Sequence, residues 1–129
     1  MTGARGESTL KGADGRDVCI LLTNRACANA ERALGGKAVL TIAQEISRGE
    51  PGMGDVAQLL LVGMEAARQE TKSSGRAVTL NDAYALMDEV GLIQAVKAVA
   101  EAVSAVISYV TEEQQDTEVP KATADNPTA

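Results

Sequence analysis

The stretch LIQAVKAVAEAVSAVISYV, Leu92–Val110, decides the fold class. Its larger apolar residues, Leu92, Val96, Val99, Val103, Val106 and Val110, stand four, three, four, three and four positions apart. That alternation is the seam of an amphipathic helix, of the a/d kind that packs against a second apolar surface. Lys97, Glu101, Ser104 and Ser108 fall on the far side. Together with Gln94 they interrupt the run too often for a membrane span, which needs about 20 mostly apolar residues. The seam must therefore be covered, either by the rest of this chain or by another one.

Toward the N-terminus the same period recurs in shorter pieces. Gly91 separates the long helix from a fourth one, capped by Thr79 with Asp82 as partner in a capping box and facing inward through Ala83, Leu86, Met87 and Val90. Thr71–Ala77 reads as a flexible loop. Asp55 is a suitable N-cap for a third helix reaching about Glu70. Its first half is apolar nearly all round (Val56, Leu59, Leu60, Val62, Met64), the mark of a helix buried on several sides. Gly63 inside it costs about 1 kcal/mol relative to Ala, so it should be there to let another element come close. Lys37–Arg48 forms a second helix, with Val39, Leu40, Ala43, Ile46 and Ser47 on its inner face. A first helix, capped at Asn24, runs to Leu34 with Ala26, Ala30 and Ala33 inward, and Gly35-Gly36 ends it.

Before Thr23 the period changes to that of strands. Ser8–Gly12 and Asp17–Leu22 flank Ala13-Asp14-Gly15-Arg16, a turn sequence in which Gly supplies positive φ. A lone hairpin is marginal in water, so it must lie on the helices. At the other end, 111–129 holds five acidic residues against Lys121, and its one large aliphatic residue is Val119. Such a segment buries too little to offset chain entropy. The expected architecture is mainly α (α+β). A flexible N-terminus (1–7) precedes one domain (8–110), a small hairpin on a bundle of about five helices, and a disordered acidic tail (111–129) follows.

Composition narrows function by exclusion. The 129 residues include no His, Phe or Trp and two Tyr. Without His, nucleophile–His catalysis and His-ligated metal sites are gone, and the reading is of a protein that is not an enzyme and carries no cofactor. The net charge of −6 and the scattered Arg residues disfavour nucleic acid. The N-terminus has no apolar run after a charged start, so no signal peptide is expected and the location is read as cytoplasmic. Cys19 and Cys27 make neither a CxxC pair nor a zinc array, and Cys19 reads as a small buried hydrophobe.

Gly35-Gly36-Lys37 is followed by Ala38 where a phosphate loop wants Ser or Thr, so it reads as a helix end. Glu31 is either partly buried or a solvated or capping carboxylate, the second being favoured. What remains is surplus apolar helix surface, offered to a partner or to a second copy. Leu59, Val62, Met64, Val99, Val103 and Val106 are the candidate contacts, and each also suits a core.

The order of elements resembles a known family. An Asp-Gly hairpin leads into Leu21-Leu22-Thr23, then Ala26, Ala30-Glu31 and Leu34-Gly35. A Gly-containing break follows, then Asp55-Val-Ala-Gln-Leu-Leu, Gly63-Met64, Ala83, Leu86-Met87, Gly91-Leu92 and an Ala/Val-rich last helix. Over about Thr9–Val110 this is similar to the tail assembly chaperones of long-tailed phages and gene transfer agents. The chain departs from that pattern in its scarcity of aromatics and in Cys27. The resemblance implies a non-enzymatic protein of the bacterial host cytoplasm that binds the apolar, helical tape measure protein, keeps it soluble, and recruits tail tube subunits. Two other readings stand beside it. One is another minor tail component, a tube or completion protein. The other is a helical dimerisation or regulatory module working through the 92–110 seam.

Overall fold

The computed structural model describes residues 6–71 and 75–125, with side chains through Ser108. The elements are β1 (Glu7–Lys11), β2 (Asp17–Leu21), α1 (Asn24–Ala33), α2 (Val39–Ser47), α3 (Met53–Glu70), α4 (Leu80–Val90) and α5 (Leu92–Asp125). A small N-terminal hairpin packed on helices is thus the architecture, as the sequence patterns imply. Of the expected flexible start (1–7), residues 1–5 lie outside the described residues and strand β1 already begins at Glu7. α5, expected to end at Val110, continues to Asp125 through most of the segment expected as a disordered tail, and 126–129 lie outside the described residues.

The hairpin is antiparallel, with Leu10 opposite Val18 and Thr9 opposite Cys19. Gly15, at φ +89°, supplies the turn conformation that Asp14-Gly15 signals. One face of the hairpin meets the helices, with Leu10 and Ile20 buried and Val18 half-buried, while Thr9 and Cys19 on the other face look outward; Leu21, at the end of β2 on that second face, is buried as well. This period of two overturns the expectation that Cys19 is buried. β1 lies along α5, where Ser8 Oγ donates to the Ala98 carbonyl at 2.8 Å. β2 lies along α3. Leu22 N–H donates to the Gly6 carbonyl at 2.8 Å, which continues the hairpin pairing to Gly6.

α3 is the axis of the domain. It touches β2, α1, α4 and α5, and buries Val56, Ala57, Leu59, Leu60, Gly63 and Ala67. Gly63 is where β2 presses in: a Cβ there would run into Ile20 Cγ2. α5 closes the other side with Ala95, Ala98, Val99, Ala102, Val103 and Val106. Small and branched residues on both helices let the backbones approach closely, which is how a core without Phe or Trp reaches normal density.

Several local expectations need correction. Thr23, not Asn24, caps α1, its hydroxyl accepting from Ala26 N–H at 3.0 Å. Ala33 is exposed, and in α2 the buried partner of Val39 is Ile42, whereas Leu40 is 60 % exposed. α3 starts at Met53 behind Gly52, so Asp55 is no cap. Its carboxylate is buried and takes the Lys37 ammonium at 2.7 Å, which Glu45 shares at 2.8 Å. Those two carboxylates, Asp55 foremost, raise the Lys37 pKa above its ordinary value. Gly35 and Gly36 both have positive φ and end α1, with Lys37 engaged by carboxylates. Glu31 is the capping carboxylate, accepting from Val39 N–H at 2.8 Å at the start of α2. The Thr79–Asp82 capping box forms as read. Among the described residues, no single helix is long and apolar enough to cross a membrane.

Candidate helix-docking surface

The six candidate contacts do not form one surface. Leu59, Val99, Val103 and Val106 are buried, at 8 % exposure or less, and belong to the chain's own interior. The middle of the 92–110 seam, Val99, Val103 and Val106, is therefore used within the molecule, where α5 meets β1, α2, α3 and α4, while Val96 is half-buried, Leu92 is exposed and Val110 lies outside the residues whose side chains are described. The regular spacing identified the buried stripe but had no means of saying whose surface covers it. Val62 is half-buried in a groove between α1 and α3, walled by polar Thr23, Asn29 and Gln69. Met64 is half-buried on the opposite side of α3, between Val18 of the hairpin and Leu86 of α4.

The exposed apolar residues lie elsewhere. Six large hydrophobic side chains are exposed among the described residues: Leu40, Met53, Leu80, Tyr84, Leu92 and Ile93. Five of these belong to α4, to the corner that follows it, or to the start of α3. Leu80 and Tyr84 are one helical turn apart and share the outer face of α4. The Tyr84 hydroxyl lies 4.0 Å from where a Cβ of Gly54 would sit, which brings the α3 start and its neighbour Met53 beside the same face. At the other end Gly91 (φ +92°) turns the chain by 118°, and Leu92 and Ile93 follow at the corner, Ile93 72 % exposed. A lone exposed Leu needs no explanation, but a run along one helix and its two flanks does.

α4 contributes three residues to the core, Ala83, Leu86 and Met87, and is fastened at its ends by charge. Before it, Glu65 of α3 accepts from Val78 N–H at 2.8 Å and from the Arg68 guanidinium at 2.6 Å. The Arg68 guanidinium first, and the Val78 amide next, hold the Glu65 carboxyl down to about 2. Arg76 meets Asp82 through both guanidinium arms, at 2.8 and 3.0 Å, and with the Thr79 amide holds that carboxyl far below the usual range. At the far end Glu89 takes Arg16 at 2.9 and 3.1 Å and the Ala13 amide at 2.7 Å, tying α4 to the hairpin turn. Both partners lower its pKa, Arg16 most.

No family model, curated protein or solved structure matches this chain.

A second apolar depression, of about 290 Å³, runs between α2 and α5 over Ala43, Ile46, Val103 and Ile107, with Ser47, Ser104 and Ser108 at its rim. It is shallow and open. Neither surface gathers acid, base and nucleophile, and among the described residues no three metal-ligating side chains converge. What the arrangement offers is contact. An apolar helix laid along α4 would meet Leu80 and Tyr84, and the exposed Leu92-Ile93 pair stands just beyond the end of α4, where the chain bends. The sequence pattern placed Leu92 in the α5 seam but passed over Leu80, Tyr84 and Ile93, because one inward face was sought on each helix. The available signal was the pair Leu92-Ile93 directly after Gly91, together with one of the chain's two tyrosines on the same helix.

Proposed function

We propose that this protein is a non-enzymatic assembly chaperone of the phage or gene-transfer-agent tail kind. It covers apolar helical segments of the tape measure protein in the bacterial host cytoplasm and helps bring tail tube subunits to them. The observation that carries the reading is the set of exposed hydrophobic side chains along α4 and its flanks, five of the six on the described surface. Exposed hydrophobic side chains gathered on one helix and its flanks are the kind of surface on which a partner helix is received. The element order named above supplies the identity of the client. A tube or completion protein is less favoured, because tail tubes are built of sheet and the strands described here are five residues each. A dimerisation module working through the 92–110 seam is less favoured because Val99, Val103 and Val106 are already covered within the chain.

The test begins with the neighbouring reading frame, which this reading requires to encode a long helical tape measure protein, and co-expresses the two chains. A soluble complex that sediments together is the expected result. A tape measure protein that stays insoluble beside folded chaperone, or that is equally soluble without it, overturns the reading.

A further inference from the structure

The α4 face carries a charge pattern as well as an apolar one. Asp88 stands one turn beyond Tyr84 in the same row, so the row reads Leu80, Tyr84, Asp88. Asp82 and Glu89, the helix's other acids, are each held by an arginine, but Asp88 has no ion pair among the described residues. It sits in the last turn of α4, and that turn holds no basic residue. A helix C-terminus carries partial negative charge and disfavours an anion there unless a cation is near. The next cation along the chain, Lys97, lies on α5 beyond the 118° corner. The apolar row thus ends in an exposed, unneutralised carboxylate on an electronegative helix end, immediately before Leu92 and Ile93.

We infer that the α4 face, Leu80–Tyr84–Asp88 with the Leu92-Ile93 corner, docks an amphipathic helix that carries a basic residue beside its apolar stripe. The apolar side chains supply the attraction, and Asp88 with the α4 C-terminus selects for positive charge and fixes the direction of the incoming helix. This rests on the chaperone reading, since it names the chemistry of the client segment and the surface that receives it.

The chain lacks Trp, so a single Trp placed in a synthetic Leu/Ala helix reports binding without background. Two such peptides are compared, one with Lys flanking the apolar stripe and one with Glu. The Lys peptide is expected to bind, more weakly as salt is added, and the Glu peptide to bind about fivefold less tightly, the scale of one exposed ion pair. Asp88→Lys should invert that preference. Ile93→Ser should weaken either peptide by about tenfold, the scale of one large apolar contact. Circular dichroism checks that both variants keep the parent's helix content, which their exposed positions lead one to expect. Equal affinity for the two peptides, no binding of either, or affinity that ignores Ile93 and Asp88 but falls with Ile46→Ser in the α2–α5 depression overturns the assignment. Selective peptide binding beside a failed co-expression would sink the tail chaperone and leave the docking surface standing. Successful co-expression that survives Ile93→Ser and Asp88→Lys would do the reverse.

Discussion

α3 and α4 are consecutive helices in contact, both rich in Leu and Ala, yet they hold their places by different physics. α3 is enclosed on several sides, and its Val56, Leu59 and Leu60 are at most 1 % exposed. α4 buries three side chains on one face and is fastened at its ends by Glu65, Asp82 and Glu89, each carboxylate taking an arginine and a backbone amide. Its other face presents Leu80 and Tyr84. One helix spends its apolar residues on the fold. The other leaves several outside, and exposed ion pairs add modest stability without sealing them. The division teaches where to look for function in a chain with no catalytic chemistry: at the helix whose apolar count exceeds what its packing uses.

The comparison is sharpest at its most buried position. Leu60→Ala removes a fully buried side chain from α3 and should cost about 2–5 kcal/mol, measured as a fall in the urea midpoint with an unchanged slope. Gly63→Ala follows. The new Cβ meets Ile20 Cγ2, the stiff branch of a residue 1 % exposed, so overpacking of about 1–3 kcal/mol outweighs the gain of about 1 kcal/mol in helix propensity. A more stable Gly63→Ala protein would mean that β2 is free to move off α3 and that the enclosure is looser than described.

The charged fasteners of α4 make a pH prediction. Glu65 is held down to about 2 from an ordinary 4.5, so its folded form binds the proton less readily than the unfolded chain does. Its contribution is complete above about pH 4.5 and disappears as the pH falls toward 2. Hydrogen exchange should show α4 amides losing protection ahead of α3 amides over that interval, and Glu65→Gln should flatten the difference while weakening α4 at neutral pH. Uniform loss across both helices would erase the distinction. The smallest effect belongs to the outer face. Tyr84→Ser should change stability by no more than about 0.5 kcal/mol, as exposed substitutions do, yet lower affinity for an apolar helix. A large destabilisation would show that Tyr84, through its hydroxyl near Gly54, holds α3 and α4 together instead of receiving a partner.

Much of the fold was legible because it is written in local periods. The step from period two before Leu22 to period near 3.6 after Thr23, the Asp14-Gly15 turn, the Gly35-Gly36 stop and the Thr79–Asp82 box each follow from dihedral freedom or from unsatisfied helix-end amides. Face assignments failed where neighbouring residues compete. In α2 both Leu40 and Ile42 are good core residues, and the docking of Val39 beside Ile42 turned Leu40 outward. Asp55 looked like a cap because caps are short and polar. It instead stands in the first turn of a helix already begun at Met53, where its carboxylate meets the Lys37 ammonium.

The sequence by itself determined the number and kind of elements, the turn and helix ends marked by glycine and by the Thr79–Asp82 box though not the start of α3 or the end of α5, and the absence of imidazole chemistry. Those depend on side-chain identity and on hydrogen bonds closed within a few residues. Tertiary packing alone decided which apolar stripe is consumed. Val99, Val103 and Val106 satisfy the demand of β1, α2 and α3, so the surface left over lies on α4 and at the Leu92-Ile93 corner. Hydrophobic attraction has no direction. A stripe of valines therefore specifies that something will cover it, and only the assembled geometry specifies what.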